Sequence, residues 1–186
     1  MSKLVAPHGG GPLLPLLGAE NARAGELDRA KGLKQLPMTS CEVSDILMFS
    51  MGAYTPLGGF MSEADWHGTC IDMALENGVF WPIPVTLSTD TNIADSIEIG
   101  EEIALMDPDQ GIIMAIMTVT EKYANDKTLE CEHVYKTTDS AHPGVARVMA
   151  QKPVNLAGPV TVLNEGSFPS DFADLYIRPA ESRKML

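Results

Sequence analysis

Between Thr39 and Gly52, apolar side chains recur at Val43, Ile46, Leu47 and Phe49, a rhythm that buries one face of a helix. Thr39 and Glu42 stand three apart just ahead of it in a capping-box pattern, so the spacing predicts a helix closing near Gly52. Ser62 and Asp65 repeat the pattern with the shorter carboxylate, ahead of Trp66, Cys70, Met73 and Ala74; that helix is predicted to stop at Gly78. Glu20 to Lys31 reads as a short polar helix with Gly32 as its C-cap. The stretch Met51 to Met61 connects the two apolar helices. Its glycines and Pro56 set backbone angles, while Met51, Tyr54, Leu57, Phe60 and Met61 supply anchors for a core. A flexible linker would be polar. This one reads as a rigid structural elbow.

Strand patterning begins at Phe80-Trp81-Pro82-Ile83-Pro84-Val85-Thr86-Leu87, where two prolines require a sheet edge or a late entry into a strand. Ile103 to Met106 and Ile112 to Val119 flank Asp107-Pro108-Asp109-Gln110-Gly111, which predicts a β-hairpin with a bulge. The second run is apolar on both faces and is predicted to be a central strand. Asp126 can cap a helix carrying Cys131, Val134 and Tyr135 on one face, leaving Glu130, Glu132 and His133 to solvent. His142, held extended by Pro143, reads as a junction residue, and Leu156 to Leu163 as a strand after a tight turn. The tail is expected to be irregular, with Phe168, Phe172 and Tyr176 ahead of the charged stretch Arg178 to Lys184. Short strands interleaved with short helices suggest an α+β or small barrel-like domain more than a doubly wound parallel sheet.

A chain of 186 residues fits one generous domain, able to bury about 70% of its unfolded surface. The formal net charge of -12 repels nucleic-acid phosphates, and no Lys/Arg patch offsets it locally. Nucleic acid is therefore not an expected partner. No apolar run approaches the ~20 residues that cross a membrane, and no secretory signal is read at the N-terminus. Cys41, Cys70 and Cys131 are odd in number and widely spaced, which suits buried thiols in a reducing cytoplasm.

Candidate chemistry is sparse. Gly9-Gly10-Gly11-Pro12 lacks the Gly-Lys-Ser/Thr ending of a phosphate loop and is read as part of an N-terminal arm, residues 1–18, laid against the body. Hydrolase, zinc-protease, kinase and dinucleotide motifs are missing from the sequence. Glu101-Glu102 and the pair Asp107 and Asp109 are expected to be solvated, and His67 to lie on the surface. The residues themselves announce no complete active site.

Three ordered stretches nevertheless resemble the N-terminal domain of the ATP sulfurylase (sulfate adenylyltransferase) family. They are Gly52-Ala53-Tyr54-Thr55-Pro56-Leu57-Gly58-Gly59-Phe60-Met61, then Asn77-Gly78-Val79-Phe80-Trp81-Pro82-Ile83-Pro84-Val85-Thr86-Leu87. The third runs from Val134-Tyr135 through Thr138-Asp139 and His142-Pro143-Gly144-Val145 to Leu156-Ala157-Gly158-Pro159-Val160. Arg178-Pro179-Ala180-Glu181-Ser182-Arg183 is similar to the Pro-x-Glu-x-Arg element that joins this domain to the catalytic one. The likeness spans about Met38 to Arg183 in the family's order.

The resemblance implies a PUA-like small β-barrel with decorating helices over residues 19–177, and over 178–186 the start of a connection to a catalytic domain. It implies a parent enzyme that joins sulfate to the α-phosphate of ATP, with Mg2+ on the nucleotide, releasing pyrophosphate; the reverse direction serves sulfur oxidation. It also implies a homo-oligomeric parent. The family's Gln-x-Arg-Asn-Pro, His-x-x-His and Gly-Arg-Asp-His motifs do not occur within residues 1–186. No catalytic, cofactor-binding or metal residue is therefore assigned here, and ATP with Mg2+ is expected only in the parent enzyme. His142 matches a family position that looks architectural. The alternative is a free-standing PUA-like binding or interaction module.

Overall fold

The computed structural model describes residues 4–186, so the first three residues of the arm expected over 1–18 lie outside the described part. The chain divides into two compact units, Met1–Gly59 with Glu102–Thr118 and Pro159–Leu186, and Phe60–Glu101 with Val119–Gly158.

The first unit opens with α1 (Glu20–Ala30), β1 (Lys34–Pro37) and α2 (Ser40–Met51). The chain then leaves this unit within the two-residue β2 (Gly59–Phe60). The Thr39–Glu42 capping box forms as the sequence predicts: each of the two residues accepts from the other's backbone N–H. α2 ends at Gly52, whose φ of 77° is left-handed. A Cβ there would stand 2.9 Å from the Pro15 nitrogen, so a glycine serves both the turn and the close approach. The elbow is anchored as expected, with Leu57, Phe60 and Met61 all buried, and its Thr55–Pro56 peptide is cis. Residues of the arm are hydrogen-bonded nearby: Leu14 N–H donates to Thr55 Oγ1, Leu16 N–H to the Phe49 carbonyl, and Gly18 N–H to the Val162 carbonyl.

The sheet of this unit contains β4 (Glu102–Asp107), β5 (Ile112–Thr118) and the end of β7 (Val154–Val162). β1 pairs parallel to β4, β4 antiparallel to β5, and β5 antiparallel to β7 through Ala115, Ile116 and Met117. The register slips between Leu105 and Met106, which is the bulge read from the sequence. Ala30, Ala104, Ile116 and Leu163 form one core cluster, with Leu27, Leu33 and Ile113 packed on it.

In the second unit β3 (Leu87–Thr89) and β6 (Glu121–Ala124) each pair antiparallel with the first half of β7. Helices α3 (Glu63–Asp72), α4 (Thr91–Ser96), α5 (Lys127–Glu130) and α6 (Pro143–Ala150) belong here, with a π-helical turn at Cys131–Tyr135. Ser62 caps α3 by accepting from Asp65 N–H, as the spacing predicts. α3 ends well before Gly78, however: Met73 adopts φ 53° and closes the helix. Gly68 explains the early stop, because its bare backbone lies against the Ala74 carbonyl, where a Cβ would stand 2.6 Å away. The Phe80–Leu87 run becomes a strand only at Leu87, after both prolines, the late entry that missing donors demand.

Three further details differ from the patterning. Gly32 follows the Lys31 C-cap without a left-handed turn. His142 is extended as expected, but it caps a helix, α6, its Nδ1 accepting from Gly144 and Val145 N–H. The tail is not wholly irregular, since α7 (Phe168–Asp171) and α8 (Pro179–Met185) form within it.

Replacing Gly52 by Ala should destabilise the chain by about 1–3 kcal/mol, combining left-handed strain with the clash against Pro15. Thr39→Ala should cost about 1 kcal/mol through loss of the cap. Urea denaturation of both variants checks the ranking; equal midpoints for wild type and Gly52→Ala would contradict the close-approach argument.

Candidate functional site

The first unit carries a cleft of about 480 Å³ where the N-terminus of α2 meets the β4–β5 turn. Met38, Thr39, Ser40, Val43 and Ser44 line one side, Asp107 to Gln110 the other, and Phe168 completes it. Asp107, expected at the surface, is 3% exposed. Its Oδ1 accepts from the N–H groups of Asp109 at 2.9 Å and Gln110 at 3.3 Å, so the carboxylate is spent on closing its own turn. Asp109 stays exposed, as expected.

A helix N-terminus attracts anions, but this one is already served from within. Glu42 Oε2 accepts from Thr39 N–H at 2.7 Å and from the Thr39 hydroxyl at 2.8 Å. With Glu42 in the first turn and Asp107 and Asp109 opposite, and neither Lys nor Arg in the lining, the cleft repels phosphate.

One turn along α2, Asp45 accepts a 2.8 Å hydrogen bond from the Tyr54 hydroxyl of the elbow. Burial pushes the Asp45 carboxyl up to about 6; the Tyr54 hydrogen bond opposes that shift, and the nearby Glu42 charge adds to it. Burial likewise raises the Tyr54 phenol, reinforced by the Asp45 charge.

The second unit hides another acid. Glu130 was expected among the solvated residues beside its helix; it is 4% exposed and accepts from Trp66 Nε1 at 2.8 Å. The chain widens into the π-helical turn immediately afterwards, which changes the phase of the helix and turns Glu130 and Cys131 inward together. Burial raises the Glu130 carboxyl, against the Trp66 hydrogen bond. Trp66 also stacks obliquely on Tyr123, whose hydroxyl donates to the Met61 carbonyl at 3.1 Å. The Cys70 thiol is pushed up to about 12 by burial and then by the Glu130 and Asp126 charges, so it stays protonated and unreactive at neutral pH. Cys41, Cys70 and Cys131 are free thiols, with Cys41 half-buried and the other two buried. Glu132, His133 and His67 are exposed, as the sequence predicts.

Several of the cations are committed to contacts within their own unit. Arg29 bonds both Glu26 and Glu102, Lys31 bonds Asp28, and Lys152 pairs with Asp90. Lys122 donates to the Ala94 and Ile97 carbonyls, and Lys127 to those of Met149 and Gln151. Among the described residues no group of three His, Cys, Asp or Glu could hold a metal ion, and no helix is long and apolar enough to cross a membrane. The cleft lining holds Asp107 and Asp109 and supplies no cation for a triphosphate.

The chain belongs to the PUA-like domain family, which matches residues 5–165. Along its whole length it is similar to sulfate adenylyltransferases. It is 55% identical over 187 residues to the sulfate adenylyltransferase of Syntrophobacter fumaroxidans, covering 100% of this chain and 46% of the relative. The Thiobacillus denitrificans enzyme of that name is 52% identical over 183 residues, covering 98% of this chain and 45% of the relative. A solved structure of the hexameric APS kinase from Thiobacillus denitrificans superposes with a TM-score of 0.72 at 27% identity, covering 98% of this chain and 31% of that one. The chain thus spans a little under half the length of the curated relatives it matches. The expected PUA-like α+β class and the family resemblance both hold.

Asp45 yields a signed pH dependence. Because its folded-state value is raised from 3.8 to about 6, the native state holds a proton that the unfolded chain releases in that window. Its contribution to stability therefore declines as pH rises from about 4 to about 6. Asp45→Asn keeps an acceptor for Tyr54 and should flatten that decline, leaving the variant relatively more stable at pH 7. Denaturation midpoints measured from pH 4 to pH 7 check this; parallel profiles for the two proteins would exclude it.

Proposed function

We propose that this chain is the N-terminal, non-catalytic domain of a sulfate adenylyltransferase. The parent would join sulfate to ATP, giving adenosine 5'-phosphosulfate and pyrophosphate, or run that reaction in reverse. The observation that carries the reading is the match along the whole chain at 55% identity to a sulfate adenylyltransferase of which it spans 46%. The site's chemistry supports the division of labour. Transfer at a phosphate needs cations and aimed donors around the developing charge, and the cleft of the first unit offers carboxylates.

In this reading ATP and Mg2+ bind in the other half of the parent, and the present residues supply walls, an interdomain interface and contacts between copies. The hexameric APS kinase neighbour supports a homo-oligomeric parent. The three free thiols suit a cytoplasmic enzyme. The net charge of -12 argues against the alternative of an RNA-binding module.

The test is ATP formation from adenosine phosphosulfate and pyrophosphate. The 186-residue chain alone should show no turnover above blank. Joined to the remaining part of the Syntrophobacter fumaroxidans relative, it should turn over. Activity in the chain alone would place an active site within these residues and overturn the reading; inactivity of the joined protein would weaken the assignment.

A further inference from the structure

Four of the large apolar side chains that the second unit exposes come from two neighbouring segments. α3 ends at Met73 and the chain returns beside it. Leu75 N–H donates to the Val79 carbonyl at 2.8 Å and Trp81 N–H to the Met73 carbonyl at 2.7 Å, with Ala74 and Phe80 bridged antiparallel between them. Ile71, Met73, Phe80 and Ile83 are 39%, 53%, 58% and 56% exposed, and Pro82 is exposed as well. This segment is rigid. Pro82 and Pro84 fix backbone angles on either side of Ile83, and Val85 is pinned to Met61, its carbonyl accepting from Met61 N–H and its own N–H donating to Met61 Sδ. Scattered exposed apolar residues are ordinary, but several held together on a rigid backbone mark an interaction site.

The charge around them has one sign. Phe60–Glu101 contains eight acids and neither Lys nor Arg. Asp72 and Glu76 are exposed within the turn itself, and Asp65 accepts from Glu76 N–H at 2.9 Å, bringing a third carboxylate to it. The cations of this unit lie elsewhere: Lys122 and Lys127 donate to carbonyls, Lys152 pairs with Asp90, Lys136 follows the π-helical turn and Arg147 is on α6.

We propose that Ile71, Met73, Phe80 and Ile83 form a docking face for a basic amphipathic helix of a different protein. The apolar side chains call for an apolar face on the partner, and the carboxylates beside them favour Lys or Arg along its edges. The Leu75 and Trp81 N–H groups are already bonded to the Val79 and Met73 carbonyls, so the face offers side chains and not a strand edge. Other occupants carry the wrong sign. A second copy would set the same carboxylates against these, and an anionic membrane or a nucleic acid would present phosphates. The docking face does not depend on the sulfate adenylyltransferase reading and goes beyond it.

The experiment titrates the 186-residue chain into a labelled synthetic helix of about 18 residues, with leucines along one face and lysines along the rest, followed by fluorescence anisotropy. A scrambled peptide of the same composition, without an apolar face, is the reference. The helix should bind about tenfold tighter than the reference, and should weaken as salt is raised from about 0.05 M to about 0.5 M. Phe80→Asp with Ile83→Asp should weaken binding about tenfold, although its two added charges would strengthen a purely electrostatic attraction. Asp72→Asn with Glu76→Gln should reduce the salt dependence. The tail of the first unit supplies a matched control. It is held at Glu165 by Ser50, Tyr176 and Arg178, at Ser167 by Gln110 and at Arg183 by Val5, and Leu175 on it is 80% exposed. Leu175→Asp should leave binding unchanged. Because Phe80 and Ile83 are exposed, the melting transition should not move in their double variant, which separates lost docking from lost folding.

Equal binding of helix and scrambled reference, or undiminished binding by the Phe80 and Ile83 variant, would overturn the docking face, since charge alone would then account for the affinity. Loss of binding in Leu175→Asp would move the site to the tail and overturn it too. So would a dimer of the chain that disappears in the Phe80 and Ile83 variant, because the occupant would be a second copy. Finally, the chain joined to the remaining part of the Syntrophobacter fumaroxidans relative should still bind the helix. If the joined protein does not, the face is covered within the parent and no separate partner reaches it.

Discussion

The first unit is built outward from the backbone of β5. Met114, Ala115 and Met117 have no exposure and Ile116 has 5%, so the strand is buried on both faces and water cannot serve its peptide groups. Buried N–H and C=O groups left unpaired cost about as much as a lost hydrogen bond each, which forces a partner strand on either side. β4 takes one edge and the end of β7 the other. The bulge leaves Met114 without a partner on β4, while on the β7 side its carbonyl accepts from the N–H groups of Leu163 and Asn164 at 2.7 and 3.0 Å, continuing the β5–β7 register. That contact fixes how the chain leaves β7, two residues before Glu165.

Elements whose signal is local were legible in the sequence. The capping box at Thr39, the left-handed Gly52 and the bulged hairpin depend on residues within a few positions of one another, so periodicity and cap chemistry suffice. The losses came where a distant residue decided the outcome. The early end of α3 at Met73 depends on Ala74 lying against the bare backbone of Gly68, which a stripe of apolar positions does not record. Glu130 was misread because a single widened turn shifts the phase of its helix, and periodicity assumes a constant one. A signal did exist: a Trp placed in a core needs an acceptor for its N–H, and an acid at a helix boundary is one of few candidates.

The same division explains the site. Asp107 could have been placed from the turn sequence, because an Asp ahead of Pro-Asp-Gln-Gly can close its own turn with its carboxylate. What composition could not show is that nearby carboxylates and carbonyls already occupy many of the Lys and Arg side chains. Arg29 between Glu26 and Glu102, and Lys122 on two carbonyls, are structural cations. Their charges are committed to contacts inside their own units.

The tail shows how a segment can be ordered without a core of its own. Fixing a residue's backbone costs about 1–2 kcal/mol, so a stretch whose apolar side chains are half-buried at most recovers much of that cost from a few strong contacts. Glu165 supplies them: a nearly buried carboxylate with an Arg, a Tyr and a Ser donor gains from charge-assisted bonds that an exposed pair would lose to solvent. An uncompensated buried carboxylate would be costly, so removing any of the donors penalises the folded unit as well as the tail.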